Sequence, residues 1–428
     1  MKLNKKLFLL GAAALSLAAC GNSGSADSSN GDGPITIEYW HPNADTQGGQ
    51  AVTELVEEFN ASQDEIVVEA TFNEGMYQGL MQNLQTAVAS GDAPALVQIG
   101  WSYREYFANN FEYTEPQTVI EEHFPDDAEY LSTKFAENIF ALGTGNDGRQ
   151  VGTPYSLSVP VLYLNMDILN EAGVNPDDLT TWEAVEEAAK TISEKTDADG
   201  LYIAEHADNW NIQAMIESNG GKVIGEDGKA AFAEQAGLDT YTFYQDMVND
   251  GVALHAPNDQ GQQAFISGQV GMAHMTIAQR SNVTSNSTFE AAAVASPAFE
   301  GQEANLPAGG SMLVMTAEEE AEQQAAWTFM KFLYEPDNVA TWTESTGYVP
   351  ETADATENAE LDKLLNEDPI FSAANSSLDK MVPWAPFPGN SGLEAEQMLI
   401  DLRDRILGGA DVETEVPATQ DDINALID

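Results

Sequence analysis

The side chains of this 428-residue chain that could do chemistry are unevenly supplied. Its five histidines, His41, His123, His206, His255 and His274, are scattered, and none stands in an H-E-x-x-H frame. The single cysteine, Cys20, lies near the N-terminus, so the body has no thiolate for a zinc site, no Cys nucleophile and no intramolecular disulfide. Neither G-x-S-x-G nor G-x-x-x-x-G-K-[ST] occurs. With 70 Asp and Glu, some carboxylate pair will match glycosidase spacing by chance, and solvated surface acids are the reading that number favours. Aromatic residues are plentiful, with 7 Trp, 13 Tyr and 17 Phe. Several flank turns, as in Gly75-Met76-Tyr77, Asp208-Asn209-Trp210 and Gly347-Tyr348-Val349-Pro350. Such rings can stack on the C–H faces of sugars while a few polar groups read the hydroxyls. Nothing in the pattern calls for a metal or cofactor.

The N-terminus carries a different kind of chemistry. Lys2, Lys5 and Lys6 precede an apolar stretch, Leu7 to Ala19, too short for an ordinary membrane span. It ends in Leu17-Ala18-Ala19-Cys20-Gly21, which resembles a bacterial lipobox, so residues 1–19 are read as a signal peptide and Cys20 as the lipidation site. Residues 20–34, rich in Gly, Ser, Asn and Asp, are a flexible tether with a reach of roughly 20 Å. The expected location is the extracellular face of the cytoplasmic membrane, held by lipid. The net charge of −54 rules out electrostatic binding to nucleic acid or anionic lipid. So large an excess of acids suits a protein exposed to high salt, where self-repulsion is screened.

The elements that must position the aromatics alternate. Ile35–Trp40 reads as a strand, Val52, Leu55, Val56 and Phe59 as one helix face, Ile66–Phe72 as a strand, Leu80 to Val88 as a helix stopped at Gly91, and Ala95–Ile99 as a buried strand. The order β-α-β-α-β-α implies a parallel or mixed sheet covered by helices. Gly152 to Gly173 stands apart. Its apolar strand Val159–Leu164 contains Pro160, which lacks a ladder donor, so it is not expected to be an ordinary central strand and reads as a passage between two regions. Beyond it, Thr180 or Thr181 caps a helix bearing Trp182, Val185, Ala188, Ala189 and Ile192. Ile203 begins a short strand, Trp210 lies in a polar loop, and helices follow over about Ile212–Ser218 and Leu238–Asn249. Strands are expected at Met272–Ile277, Ala291–Ala295 and Met312–Met315, then helices around Ala325–Leu333, Ala340–Thr346 and Met398–Ile406, and a short tail. This is the framework of a solute receptor rather than of a recognisable catalyst.

A set of short motifs resembles the bacterial extracellular solute-binding proteins of ABC importers, family 1, and within it the sugar and glycerol-3-phosphate-binding group. The matching pieces are Leu17-Ala18-Ala19-Cys20, Glu38-Tyr39-Trp40-His41, Gly75-Met76-Tyr77, Ala93-Pro94, Pro160 to Asn165, Thr181-Trp182-Glu183, Phe265-x-x-Gly268, Gly309-Gly310-Ser311 and Thr346 to Pro350, in the family's order. The resemblance implies an α/β, bilobal periplasmic-binding fold of type II, with three hinge crossings near Leu157–Val159, Pro307–Ser311 and Tyr348–Thr352. Residues 35–157 and 312–347 would form the first lobe, and 158–306 and 353–428 the second. It places ligand contacts on Tyr77, Ser158, Gly310 and Tyr348, with Gly309 beside them, a sugar-stacking ring at Trp210 and a polar contact at Thr276. Two positions depart from the glycerol-3-phosphate binders: Trp101 stands where they carry a Glu, and Phe387 where they carry an Arg before Gly389-Asn390. Without that Arg a phosphate loses its bidentate partner. The implied ligand is therefore a carbohydrate, a neutral oligosaccharide, delivered by a monomer to the permease subunits. Glycerol-3-phosphate or a related phosphoester is the alternative, and an extracellular glycoside hydrolase a more distant one.

Overall fold

The structure is a computed structural model that describes residues 33–45, 48–206, 208–388 and 391–427. The leader, the lipobox with Cys20 and nearly all of the tether lie outside the described residues. Twelve strands are present among the described residues: β1 Ile35–His41, β2 Ile66–Phe72, β3 Leu96–Gly100, β4 Thr153–Ser158, β5 Pro160–Asn165, β6 Asp199–Ile203, β7 Ala253–Leu254, β8 Val270–Thr276, β9 Ala291–Ala295, β10 Leu306–Pro307, β11 Gly309–Met315 and β12 Met381–Val382.

They form two five-stranded sheets, in the orders β2-β1-β3-β11-β4 and β7-β6-β8-β5-β9, and a parallel pair, β10-β12. The two large sheets share one plan. A parallel trio (β2, β1, β3 or β7, β6, β8) is followed by an antiparallel strand (β11 or β5), which then pairs antiparallel with the outermost strand (β4 or β9). In each sheet the antiparallel strand is the one that has just come across from the other lobe. The parallel connections place helices on the sheet faces, which accounts for the fully buried runs in β3, β4 and β5. This is an α/β fold of two lobes.

The passages between lobes are short. A single residue, Val159, separates β4 of the first sheet from β5 of the second, and Ala308 alone separates β10 from β11. Leu157 joins the crossings: it pairs with Gly310 on one side and bridges antiparallel to Val349 on the other. The Val349 N–H donates to the Leu157 carbonyl at 2.9 Å. The apolar interior follows the same plan. One cluster, with Tyr39, Phe59, Trp327 and Trp342, fills the first lobe, and another, with Trp182, Tyr241, Met272 and Leu402, fills the second. A third runs from Leu84, Ile99 and Trp101 through Leu157 and Met312 to Tyr163, Tyr202 and Trp210, so the core is continuous across the hinge.

Local signals explain many boundaries. Gly91 is left-handed, with φ of 80°, and closes the helix Met76–Ser90. The Thr181 hydroxyl accepts from the Ala184 N–H and starts the helix Trp182–Lys195. Four expectations need correction. The strand carrying Pro160 is internal, between β8 and β9; the proline is tolerated because it is the first residue of β5 and β9 pairs only from Val161 onward. Ile203 ends its strand rather than beginning it, since Asp199 to Tyr202 already pair with β8. Trp210 opens the helix Trp210–Glu217 instead of lying in a loop. The tail is a sixteen-residue helix, Val412–Ile427, whose buried Val412, Val416, Thr419 and Ile423 keep helical spacing around an internal Pro417.

Candidate functional site

On the first-lobe side, the helix Met76–Ser90 begins after Gly75, and its opening residue Met76 is itself left-handed, with φ of 54°. That turn brings Tyr77 over Gly100 at the end of β3. A Cβ on Gly100 would lie 2.7 Å from the Tyr77 Cγ, so a bare backbone is needed there. Tyr77 is half-buried, burial pushes its phenol pKa well up, and the Tyr348 phenol and the Ser311 hydroxyl are close enough to act on it. Beneath it a buried amide orders the sheet: Tyr39 donates to Gln98 Oε1 at 3.0 Å, and Gln98 Nε2 donates to Ser311 Oγ at 2.8 Å. Tyr348 stacks on Trp342 at 6.3 Å, and Trp342 on Tyr155 at 4.7 Å, each pair inclined by 24°. Trp101 is buried against β4, its indole N–H donating to the Ser156 carbonyl at 3.1 Å.

At the crossing, Ser158 and Thr276 join the two lobes through their hydroxyls, 2.5 Å apart, and Thr276 Oγ1 also accepts from the Ala278 N–H. Gly310 has φ of +96°, and a Cβ there would meet the Ser156 carbonyl oxygen at 2.2 Å. This left-handed residue directly precedes the irregularity in β11 pairing at Ser311 and Met312. Gly309 is small for another reason: a Cβ would come within 2.9 Å of the Trp210 ring.

On the second-lobe side, Asp208 Oδ1 accepts from the Trp210 N–H at 3.0 Å, which sets the start of the helix Trp210–Glu217. Trp210 is 4% exposed, and its indole N–H donates to the Pro307 carbonyl at 2.7 Å. Its ring stacks on Trp384 at 6.4 Å, and the Trp384 N–H donates to Asn209 Oδ1 at 2.9 Å. Tyr103, which follows Trp101 in a short 3₁₀ turn of the first lobe, is near enough to Asp208 and Glu396 of the second for their charges to raise its pKa further, although burial is the main cause.

Tyr77, Trp101, Ser158, Thr276, Gly309, Gly310, Tyr348 and Trp210 thus gather around the crossings. Phe387 does not join them. It is packed into the second-lobe core with Leu399 and Leu402. Trp210 is far more buried than its polar flanks suggest, because Asp208 caps its helix and Asn209 accepts from the Trp384 indole. Gln98, Asp208 and Asn209 carry no signal in the pattern, whereas Trp384, flanked by Pro383 and Pro386, does, although a large aromatic is more often core than ligand platform. The histidines are structural where the geometry is clear. Burial lowers His41 to about 4, and His274, bonded to Ser296 at 2.8 Å, to about 3. Among the described residues no group of three or more His, Cys, Asp and Glu could hold a metal ion, and no helix is long and apolar enough to cross a membrane.

A family model of the bacterial extracellular solute-binding protein matches residues 54–373. The chain belongs to that family. Its members take up a small solute outside the cell and hand it to an ABC permease. This solute-binding protein is 23% identical over 404 residues to the sn-glycerol-3-phosphate-binding periplasmic protein UgpB of Escherichia coli K12, a match covering 90% of this chain and 88% of that one. Among solved structures it is similar to the cyclic alpha-maltosyl-1,6-maltose binding protein of Arthrobacter globiformis, with a TM-score of 0.79, 23% identity and coverage of 92% and 99%. UgpB of Mycobacterium tuberculosis, solved with glycerophosphocholine, gives a TM-score of 0.80 at 21% identity, with coverage of 92% and 98%. The shared fold agrees with the two sheets of matching plan and the three crossings.

Proposed function

We propose that this solute-binding protein captures a carbohydrate between its lobes and delivers it to the permease without converting it, working as a lipid-anchored monomer at the outer face of the cytoplasmic membrane. The observation that carries the reading is the assembly of ring faces and hydroxyls at the hinge. Tyr77 and Tyr348 come from the first lobe and the third crossing, Ser158 and Thr276 join the lobes, and Trp210 with Trp384 come from the second. Sugars are bound by such pairings of aromatic faces with a few oriented polar groups. Closure around the ligand would then set the relative position of the lobes that the permease reads.

A phosphoester is the competing ligand, because the curated relatives are named for glycerol-3-phosphate. Against it, no arginine or lysine occurs among the gathered residues, whereas a phosphate calls for a charge-assisted partner. A thermal-shift and calorimetric panel of oligosaccharides, polyols and their phosphates decides the matter. Oligosaccharides should raise the melting temperature and remain intact on prolonged incubation. Tight binding of glycerol-3-phosphate with no response to any sugar would refute the carbohydrate reading, and release of shorter sugars would refute the receptor reading.

A further inference from the structure

The hinge-side edge of the second sheet carries an ordered pair of side chains beyond the residues gathered at the crossings. In that sheet β8, β6 and β7 run parallel, and their carboxyl ends lie at the edge where β5 enters from the crossing at Pro160. In open α/β sheets ligands bind outside the carboxyl ends of the strands. Thr276, at the end of β8, already belongs to the site. Glu205 stands two residues beyond the end of β6, and His255 directly follows β7. The His255 Nδ1 lies 2.9 and 3.1 Å from the two Glu205 carboxyl oxygens, and the Ala256 N–H donates to the same carboxyl at 3.3 Å.

The two partners differ in burial: the Glu205 side chain is 5% exposed and that of His255 is 39% exposed. A carboxylate only accepts, so Nδ1 carries the proton of this contact. Nε2, on the far side of the ring, has no partner among the described residues. The mount is rigid. The Glu205 N–H donates to the Tyr202 hydroxyl at 3.2 Å, and that hydroxyl donates to the Asn258 carbonyl at 3.4 Å. Gly261 sits so close on the Tyr202 ring that a Cβ there would meet it at 2.1 Å. The buried Arg403 belongs to the same support. Its guanidinium donates to the His206 carbonyl at 2.7 Å and pairs with Asp404 at 2.9 Å, which fixes the segment that follows Glu205. A buried acid thus holds an exposed imidazole in one orientation at the carboxyl end of the sheet, the kind of support a binding group needs.

We propose that His255 is a ligand contact whose Nε2 binds a hydroxyl of a second sugar unit, so that the site extends from the crossings across the second sheet and takes a carbohydrate of at least two units. The inference rests on the carbohydrate reading above and adds the length of the ligand to it. β8, β6 and β7 are adjacent, which puts His255 two strand spacings, about 10 Å across the sheet, from Thr276. One sugar ring held at the crossing does not span that gap, whereas the next unit of a chain does. A hydroxyl both donates and accepts, so it suits Nε2 with or without a proton. Glu205 positions the ring and does not itself touch the sugar.

The test titrates malto-, cello- and chito-oligosaccharides of increasing length from the single sugar upward, with any other series from the panel above that binds, calorimetrically into the full chain and into His255→Ala. The quantity read is the ratio of dissociation constants between the shortest and the longest sugar that bind. In the wild type affinity should rise with length, and His255→Ala should shrink that rise by about three- to tenfold, the order of one hydrogen bond. His255→Gln, whose side-chain amide reaches the Nε2 position, should restore part of it. A purely structural role would weaken short and long sugars alike and leave the ratio unchanged. The wild-type length series needs no variant, so it stands even if His255→Ala folds poorly. Affinity that does not rise with length in the wild type, or that rises equally in His255→Ala, overturns the inference and leaves carbohydrate capture intact. If no sugar of any series binds, both readings fall.

Discussion

Glu351, within the third crossing, ties the fold to pH. It is 3% exposed, and neither carboxyl oxygen has a well-formed hydrogen bond. Burial raises it from 4.5 to about 8; its own backbone N–H and Lys134 pull in the opposite direction, and Asp354 adds to the rise. The Lys134 ammonium is engaged by Asp354 at 2.5 Å and by the Tyr334 carbonyl at 3.0 Å, and the phenols of Tyr155 and Tyr334 are the other titratable groups facing the site. An acid whose folded pKa is raised stabilises the fold fully below its unfolded pKa, and that contribution is lost as pH rises through the folded value. The window therefore runs from about 4.5 to about 8. At about 1.4 kcal/mol per pKa unit, the loss reaches about 3 kcal/mol by pH 7. Glu351→Gln keeps the shape of the neutral acid and does not titrate. Measured by urea unfolding across this range, the variant should match the wild type within about 1 kcal/mol near pH 5, exceed it by about 3 kcal/mol near pH 7, and level off above about pH 8. Parallel pH profiles for the two proteins would refute the reasoning, since they would mean that Glu351 is not buried as an acid. Glu396, also raised to about 8, adds a slope of the same sign to both proteins and cancels in the difference.

Three further outcomes follow from the geometry. Gly310→Ala combines a φ of +96° with a Cβ 2.2 Å from the Ser156 oxygen, and should destabilise the protein by about 2 to 4 kcal/mol in denaturant unfolding. Trp210→Ala removes a ring buried to 4% and leaves the Pro307 carbonyl without its donor; a stability loss of about 3 to 5 kcal/mol is expected by the same measurement, together with loss of the sugar-induced thermal shift. With a formal charge of −54, the melting temperature should climb as sodium chloride is raised towards about 1 M, where the screening length falls to about 3 Å; a flat response would remove the high-salt interpretation.

The layers of this fold are legible in sequence where period and punctuation agree. β1, β2 and β9 were read within a residue of their ends, and Gly91, Gly173 and Gly347 stop helices as left-handed caps. Legibility fails where tertiary context outweighs local pattern. Pro417 hides a helix whose buried face is otherwise regular. Pro160 suggests an edge, yet β5 is internal, because the neighbouring strand stops one residue short of it. The site shows the same division. Turns mark Tyr77 and Tyr348 as candidates, and the family resemblance is what proposes them, with Ser158 and Gly310, as ligand contacts. Gln98, buried within β3, gains its significance only from what the fold lays against it, the Tyr39 phenol and the Ser311 hydroxyl.

On the carbohydrate reading, Trp101, Trp210 and Trp384 constrain what the site can recognise. Each has its N–H already committed to the protein, to the Ser156 carbonyl, the Pro307 carbonyl and Asn209 Oδ1 respectively. A ligand meeting these residues finds only π-faces and ring edges, which bind apolar C–H surfaces and cations but do not distinguish one hydroxyl pattern from another. On that reading, discrimination at the hinge comes from hydroxyls: the half-buried Tyr77 phenol on the first lobe and the Ser158–Thr276 pair at the crossing. Ser158 and Thr276 stand on strands of different sheets, so a ligand that engages both hydroxyls touches both sides of the hinge. Its affinity is then greater for the closed arrangement than for an open one, and that differential is the free energy available to shift the hinge. A ligand that stacks on the rings alone would bind without that differential, so closure, and not occupancy alone, would depend on the hydroxyls at the crossing.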